Sequence, residues 1–100
     1  MDTFMIFKTS LQAEHPPLSL SNALLALWYD ANGNWDKAHD YAQIDDNMDS
    51  SWVHAYLHRK EGDQFNASYW YRRAGKPVCK LSLDEEWTQI TKELLQYVKQ

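Results

Sequence analysis

The sequence predicts a single all-α domain over residues 1–100. Only three glycines and three prolines interrupt the chain, which favours few turns and long helices over a many-stranded sheet. Apolar residues recur at intervals of three and four, which is the spacing of one face of a helix. Aromatic residues make up 14% of the chain, so it has enough apolar surface to fill a small core and is not a disordered chain.

Two helices are predicted in the first third of the chain. Apolar residues at helical spacing predict a short helix within residues 2–12, although the run 4–7 could also be a strand. A second helix is predicted to begin after Ser19 or Ser21, either of which can cap it, and to end near Ala31. Its apolar stripe consists of Leu20, Leu24, Leu27 and Trp28.

Three helices in the middle of the chain are predicted from their caps and turns. They are expected to cover residues 35–44, 52–61 and 64–74. Their candidate N-caps are Asn34, Ser50 or Ser51, and Asp63, whose side chains can accept hydrogen bonds from free backbone amides. Glycines at 33, 62 and 75 can take the positive φ that ends a helix.

The C-terminal segment has the most regular pattern. After an extended linker over 78–83, Ser82 and Glu85 form a capping-box pattern at the start of a helix. Acidic residues near its start and Lys99 near its end suit the helix dipole. The residues that keep helical spacing are Trp87, Ile90, Thr91, Leu94, Leu95 and Val98. The segment is therefore predicted to be an amphipathic helix that caps the domain.

The chain contains an internal repeat with a period of 29 residues. The overlay places Ala26 on Ala55, Gly33 on Gly62, Asn34 on Asp63 and Ala38 on Ala67. Each copy consists of a helix, a turn with Gly before Asn or Asp, and a second helix with an alanine about one turn in. Alanines permit close helix approach, and this is the pattern of stacked helical hairpins.

The repeat resembles a known family. The residues that carry the resemblance are Leu25, Ala26, Tyr29, Gly33 and Ala38, then Ala55, Gly62, Asp63, Ala67, Tyr71 and Ala74. They resemble tetratricopeptide repeats, and the run 67–75 is similar to the second helix of Sel1-like repeats, A-x-x-W-Y-x-K-A-A. Over residues 22–75 the resemblance implies a short stack of antiparallel hairpins that binds a protein or peptide. The chain departs from the family in its period, which is usually about 34, and in having two repeats where about three are needed.

The charges are segregated along the chain. Residues 30–49 hold six acids and one base, whereas residues 59–80 hold six bases and two acids. One interpretation is that these two segments form two solvated faces of opposite charge. The other is that they are unlike patches that pair between copies of the chain, either head-to-tail or about the two-fold axis of a homodimer. The net charge of −4 argues against nucleic-acid binding. No run of about 18 apolar residues predicts a membrane span, and the lone Cys79 is compatible with a reducing, cytoplasmic location.

A first candidate site lies on the helix predicted over 52–61. His54, His58 and Glu61 fall on one arc, and histidines at i and i+4 have metal-ligand spacing. Glu61 could be a third ligand or could orient an imidazole. No HExxH pattern is present, so we expect no cofactor and regard the two histidines as hydrogen-bonded groups beside the core, with a metal site as the alternative.

A second candidate site lies on the following helix. Tyr69, Trp70 and Tyr71 are consecutive and cover about 200° of its circumference, more than one buried face can hide. Either this helix is packed on two sides, or an aromatic side chain faces a groove. Asn66, Arg72 or Arg73 at the rim of such a groove would favour a carboxylate or phosphate.

The sequence therefore favours a non-enzymatic helical scaffold that binds a protein or peptide. The alternative is a small-ligand site, for an anion or metal, or a hydrolytic site. The candidate binding residues are Trp52, His54, His58, Glu61, Asn66, Tyr69, Trp70, Tyr71, Arg72 and Arg73. Nucleophilic catalysis is not favoured, because Cys79 has no identified base to lower its pKa.

Overall fold

The computed structural model describes residues 2–96, which form six helices and, within those bounds, no strand. The helices are α1 (Thr3–Ser10), α2 (Asn22–Ala31), α3 (Trp35–Ala42), α4 (Met48–Glu61), α5 (Gln64–Ala74) and α6 (Leu83–Leu95). The all-α prediction is confirmed, and the strand alternative for residues 4–7 is wrong. The predicted roles of Val98 and Lys99 lie outside the described residues. No helix in the described chain is long and apolar enough to cross a membrane.

Capping side chains set most of the helix starts. Ser21, Asn34 and Asp63 each accept a hydrogen bond from a backbone amide in the first turn of the helix that follows. Ser82 and Glu85 form both hydrogen bonds of the predicted capping box, each 3.1 Å long. These contacts satisfy amides that have no partner within their own helix, so each helix begins where its cap stands.

The start of α4 differs from the prediction. Asn47 is its N-cap and accepts from the amide of Ser50 at 2.8 Å, so the helix begins at Met48 and not at Trp52. Ser50 and Ser51, which were predicted as caps, are buried inside its first turns. Asp49 in that first turn adds a favourable interaction with the helix dipole.

Helices α2–α5 form two helical hairpins, α2–α3 and α4–α5. Gly33 and Gly62 take φ values of +80° and +92° at the reversals between α2 and α3 and between α4 and α5. Helix α4 packs against α2, α3, α5 and α6, and every residue from 50 to 58 is buried. Helix α6 lies against α1, α2 and α4, whereas the backbone of α5 packs on α4. Helix α4 is thus the centre of the fold.

Two tryptophan side chains form hydrogen bonds with backbone carbonyls of helices that are distant in sequence. The indole of Trp87 donates to the carbonyl of Leu27 at 3.0 Å, which ties α6 to α2. The indole of Trp35 donates to the carbonyl of Leu57 at 2.9 Å, which ties the start of α3 to α4. Each indole buries a large apolar surface while its single donor remains satisfied.

Two buried carboxylates link helices inside the core. Asp30 on α2 accepts from the Tyr56 hydroxyl and the Lys60 ammonium on α4, both at 2.9 Å. Glu86 on α6 accepts from Arg59 on α4 and from the hydroxyl of Tyr71 on α5. Burial raises the pKa of both tyrosines above the ordinary value, so they remain hydrogen-bond donors.

Candidate functional site

Three histidines converge between α3 and α4, and we call them the histidine cluster. His39 lies on α3, and His54 and His58 lie one turn apart on α4. Their ring centroids are separated by 4.6 Å, 4.8 Å and 5.2 Å. One ring nitrogen of each lies within 4.8 Å of those of the other two. A metal ion is bound by donor atoms that converge on one point from separate side chains.

Local packing of α3 brings His39 to the cluster. Trp35, in the first turn of α3, is anchored to the backbone of α4 by its indole hydrogen bond. His39 lies one turn later and stacks on the Trp35 ring, with centroids 5.0 Å apart and planes 10° from parallel. The stacked ring then meets His54 edge-on.

Two contacts define the state of the imidazoles. His39 Nε2 and His54 Nε2 are 2.9 Å apart, so one ring donates and the other accepts. His58 Nδ1 lies 2.6 Å from Glu61 Oε1. The carboxylate accepts the Nδ1–H of His58, which in the singly protonated ring places the lone pair on Nε2. Carboxylate-oriented histidines of this kind are usual at metal sites.

Burial keeps the inner part of the cluster uncharged. His54 is only 4% exposed. Its burial, together with the neighbouring His39 and His58 rings, lowers the pKa of His54 to about 3. The pKa of His39 is also lowered, first by burial and then by His58. Near neutral pH the His54 ring is therefore neutral, so one of its two nitrogens carries a lone pair that a metal could accept.

One nitrogen of the cluster is left without a partner. His54 Nδ1 is buried and makes no hydrogen bond with any described residue. The His54 ring stacks on Trp70 of α5, with centroids 4.0 Å apart. A buried polar atom without a partner costs about 1–3 kcal/mol, so the arrangement is not the most stable one available to a core position.

The edge of the cluster carries two carboxylates. Glu61 and Asp63 form with His58 a second group whose potential ligand atoms lie within 4.8 Å of one another. Asp63 is engaged as the N-cap of α5, where it accepts from the Asn66 amide at 3.1 Å and from the Asn66 side chain at 2.7 Å. These bonds lower the pKa of Asp63. Both the backbone amide and the side-chain amide of Asn66 therefore donate to the N-cap of α5.

The three consecutive aromatic residues of α5 have three different environments. Tyr71 is buried and reaches Glu86, Trp70 lies partly buried over His54, and Tyr69 is 41% exposed. The guanidinium of Arg73 lies 5.2 Å from the centre of the Trp70 ring and pairs with Asp46 at 2.6 Å. Trp70 thus belongs to the surroundings of the histidine cluster, and Arg73 lies next to Trp70.

The remaining predicted site residues lie apart from the histidine cluster. Trp52 is buried on α4, and the Lys76 ammonium lies 4.2 Å above its ring. Arg72 is exposed on the outer side of α5. The structure thus brings together only part of the set that the sequence suggested.

Sequence reasoning missed His39. It lies 15 residues before His54, so no helical wheel of a single segment could place it beside the other two histidines. A signal was nevertheless present, because His39 follows the large apolar Trp35 by four residues and so lies one turn along on the same side of α3. Stacked hairpins would set that side against the helix that carries His54.

Comparison of the chain with protein-family models, with curated proteins and with solved structures gave no significant match.

Proposed function

We propose that this chain binds a divalent transition-metal ion through His39, His54 and His58. The observation that carries the proposal is the convergence of three imidazoles, one nitrogen from each lying within 4.8 Å of the others. Neutral imidazole is a preferred ligand of Zn²⁺, Cu²⁺ and Ni²⁺, whereas Mg²⁺ and Ca²⁺ prefer oxygen. The donor set therefore favours a transition metal.

The spacing of one pair of nitrogens, those of His39 and His54, is close to what a tetrahedral ion requires. Zinc–nitrogen bonds of about 2.0–2.1 Å place two ligand nitrogens about 3.3 Å apart. His39 Nε2 and His54 Nε2 are 2.9 Å apart. They would have to separate by only ~0.4 Å, which a small rotation of the half-buried His39 side chain supplies.

Glu61 has a supporting part in this proposal. It would hold the His58 ring through Nδ1, so that Nε2 points to the ion. An ion held by three imidazoles has a fourth position for water or a small anion. The ion would also join α3 to α4, because its ligands come from both helices.

Calorimetric titration of metal-stripped protein with Zn²⁺ tests the proposal. We expect one ion per chain and a loss of affinity of about 10- to 100-fold in Glu61→Gln, with a larger loss in His39→Ala because a direct ligand is removed. His15→Ala is the matched control, because His15 is exposed and lies outside the cluster. Absence of binding, or equal losses in His15→Ala and His39→Ala, would contradict the proposal.

A second function is favoured by the outer side of α5. We propose that the chain also acts as a helical scaffold for a protein partner, with α2–α5 as two tetratricopeptide-like hairpins and α6 as the cap. The supporting observation is that Phe65 is 86% exposed beside the half-exposed Tyr69, an apolar surface that partner binding would bury. A cytoplasmic location, suggested by the lone Cys79, is part of this proposal.

A further inference from the structure

The outer face of α5 combines aromatic and basic side chains. Phe65, Tyr69 and Arg72 follow one another at i, i+4 and i+7, opposite the buried side of the helix. We call these three residues the α5 outer face. Arg72 is exposed and forms no ion pair within the described chain.

The outer face of α3 is acidic. Asp36 and Asp40 are exposed one turn apart, opposite the buried Ala38 and Ala42. We call Asp36 and Asp40 the α3 outer face. Neither carboxylate has an ion-pair partner within 4 Å among residues 2–96. Two like charges side by side on a helix repel each other, so an opposite charge brought to them is favourable.

The two outer faces belong to helices on neighbouring sides of α4. His39 of α3 and Trp70 of α5 both contact the ring of His54, which places the two helices beside the same part of α4. The ion pair between Arg73 and Asp46 joins the end of α5 to the connection that follows α3. An acidic face and a basic, aromatic face therefore lie on two helices that both pack on α4.

We propose that the partner of this surface is a second copy of this chain, which docks on these faces in a two-fold arrangement; the inference rests on the scaffold function proposed above. The α5 outer face of each copy meets the α3 outer face of the other, because a two-fold axis repeats every contact with the roles of the two copies exchanged. Arg72 then faces Asp36 and Asp40 of the second copy in both halves of the interface. Phe65 and Tyr69 lose their exposure, and aromatic side chains are the usual anchors of interfaces.

The occupant is identified by charge complementarity. A strongly basic partner would be attracted to the α3 outer face but repelled by Arg72. A strongly acidic partner would be attracted to Arg72 but repelled by the α3 outer face. A second copy satisfies both faces at once. The interface should weaken with salt, because it pairs charges that are exposed in the single chain.

Sedimentation velocity of the full chain, with a chelator present to prevent metal bridging, tests the inference. We expect a dimer at low salt that dissociates at high salt. Arg72→Glu alone and the double variant Asp36→Arg, Asp40→Arg alone should each dissociate at least about ten-fold more readily. The control Lys80→Glu makes the same charge change as Arg72→Glu on an exposed residue outside both faces, and it should leave the dimer intact.

Mixing the two interface variants provides the decisive result. In the mixed pair the glutamate introduced at position 72 of one chain faces the introduced arginines of the other, and the original aspartates face an original Arg72. A heterodimer should therefore re-form although neither variant pairs with itself. A monomeric natural chain at low salt, a dimer that survives both variants, or a mixture that stays monomeric would each overturn the inference. Circular dichroism of every variant should match the natural chain, since all of the changed positions are exposed.

Discussion

Replacing Glu86 by alanine is expected to lower the free energy of unfolding by about 3–5 kcal/mol. Glu86 is 1% exposed and accepts from Arg59 at 2.8 Å and from the Tyr71 hydroxyl. Its removal leaves a guanidinium and a buried hydroxyl without this acceptor, and it opens space where α4, α5 and α6 meet. Urea denaturation followed by circular dichroism measures the change.

Tyr71→Phe is the matched comparison for Glu86→Ala. It removes one hydrogen bond but leaves Glu86 paired with Arg59, so the expected loss is about 0.5–1.5 kcal/mol. The double variant should be less destabilised than the sum of the single variants, because the two residues share a contact. A loss in Glu86→Ala no greater than that in Tyr71→Phe would show that the buried carboxylate does not hold these helices together.

Acidification is expected to destabilise the metal-free protein by roughly 3 kcal/mol between pH 6.5 and pH 4, at about 1.4 kcal/mol per pH unit. The cause is His54, whose pKa is lowered from 6.5 to about 3 in the folded chain. Between those two values the unfolded chain binds a proton at this ring and the folded chain does not. The contribution is therefore complete above pH 6.5 and is lost progressively as the pH falls towards 3. The lowered pKa of His39 acts in the same direction.

His54→Gln isolates this effect, because it removes the titrating ring and retains a polar side chain. The difference in unfolding free energy between this variant and the natural chain should shrink as the pH falls from 7 to about 4. His15→Ala should follow the natural chain throughout, since His15 is exposed. Parallel curves for the natural chain and His54→Gln would rule out His54 as the source of the acid sensitivity.

Local signals predicted the helices well wherever a single cap was available. Asp63 and Ser82 stand alone before their helices, and both are N-caps in the structure. The start of α4 was misplaced because Asn47, Ser50 and Ser51 are all good caps within five residues. The choice between them depends on burial of the two serines against other helices, which no local pattern contains.

The candidate site was predictable only within one helix. The helical wheel put His54, His58 and Glu61 on one arc, and the structure shows that Glu61 contacts the His58 ring. His39 and Trp70 reach the same place through the docking of α3 and α5, which depends on contacts such as that of Trp35 with the α4 backbone. Periodicity reports which side of a helix is apolar, but it does not report which neighbour covers it.

The central position of α4 determines how the domain unfolds. A linear array of hairpins frays from its ends, one repeat at a time, because each repeat touches only its neighbours. Here α4 packs against four of the other five helices, so its detachment breaks the α4–α5 hairpin and uncovers the α2–α3 hairpin and α6 at the same time. Unfolding is then a single cooperative transition. An intermediate in which α4 has detached would also lack the histidine cluster, because His54 and His58 both lie on that helix.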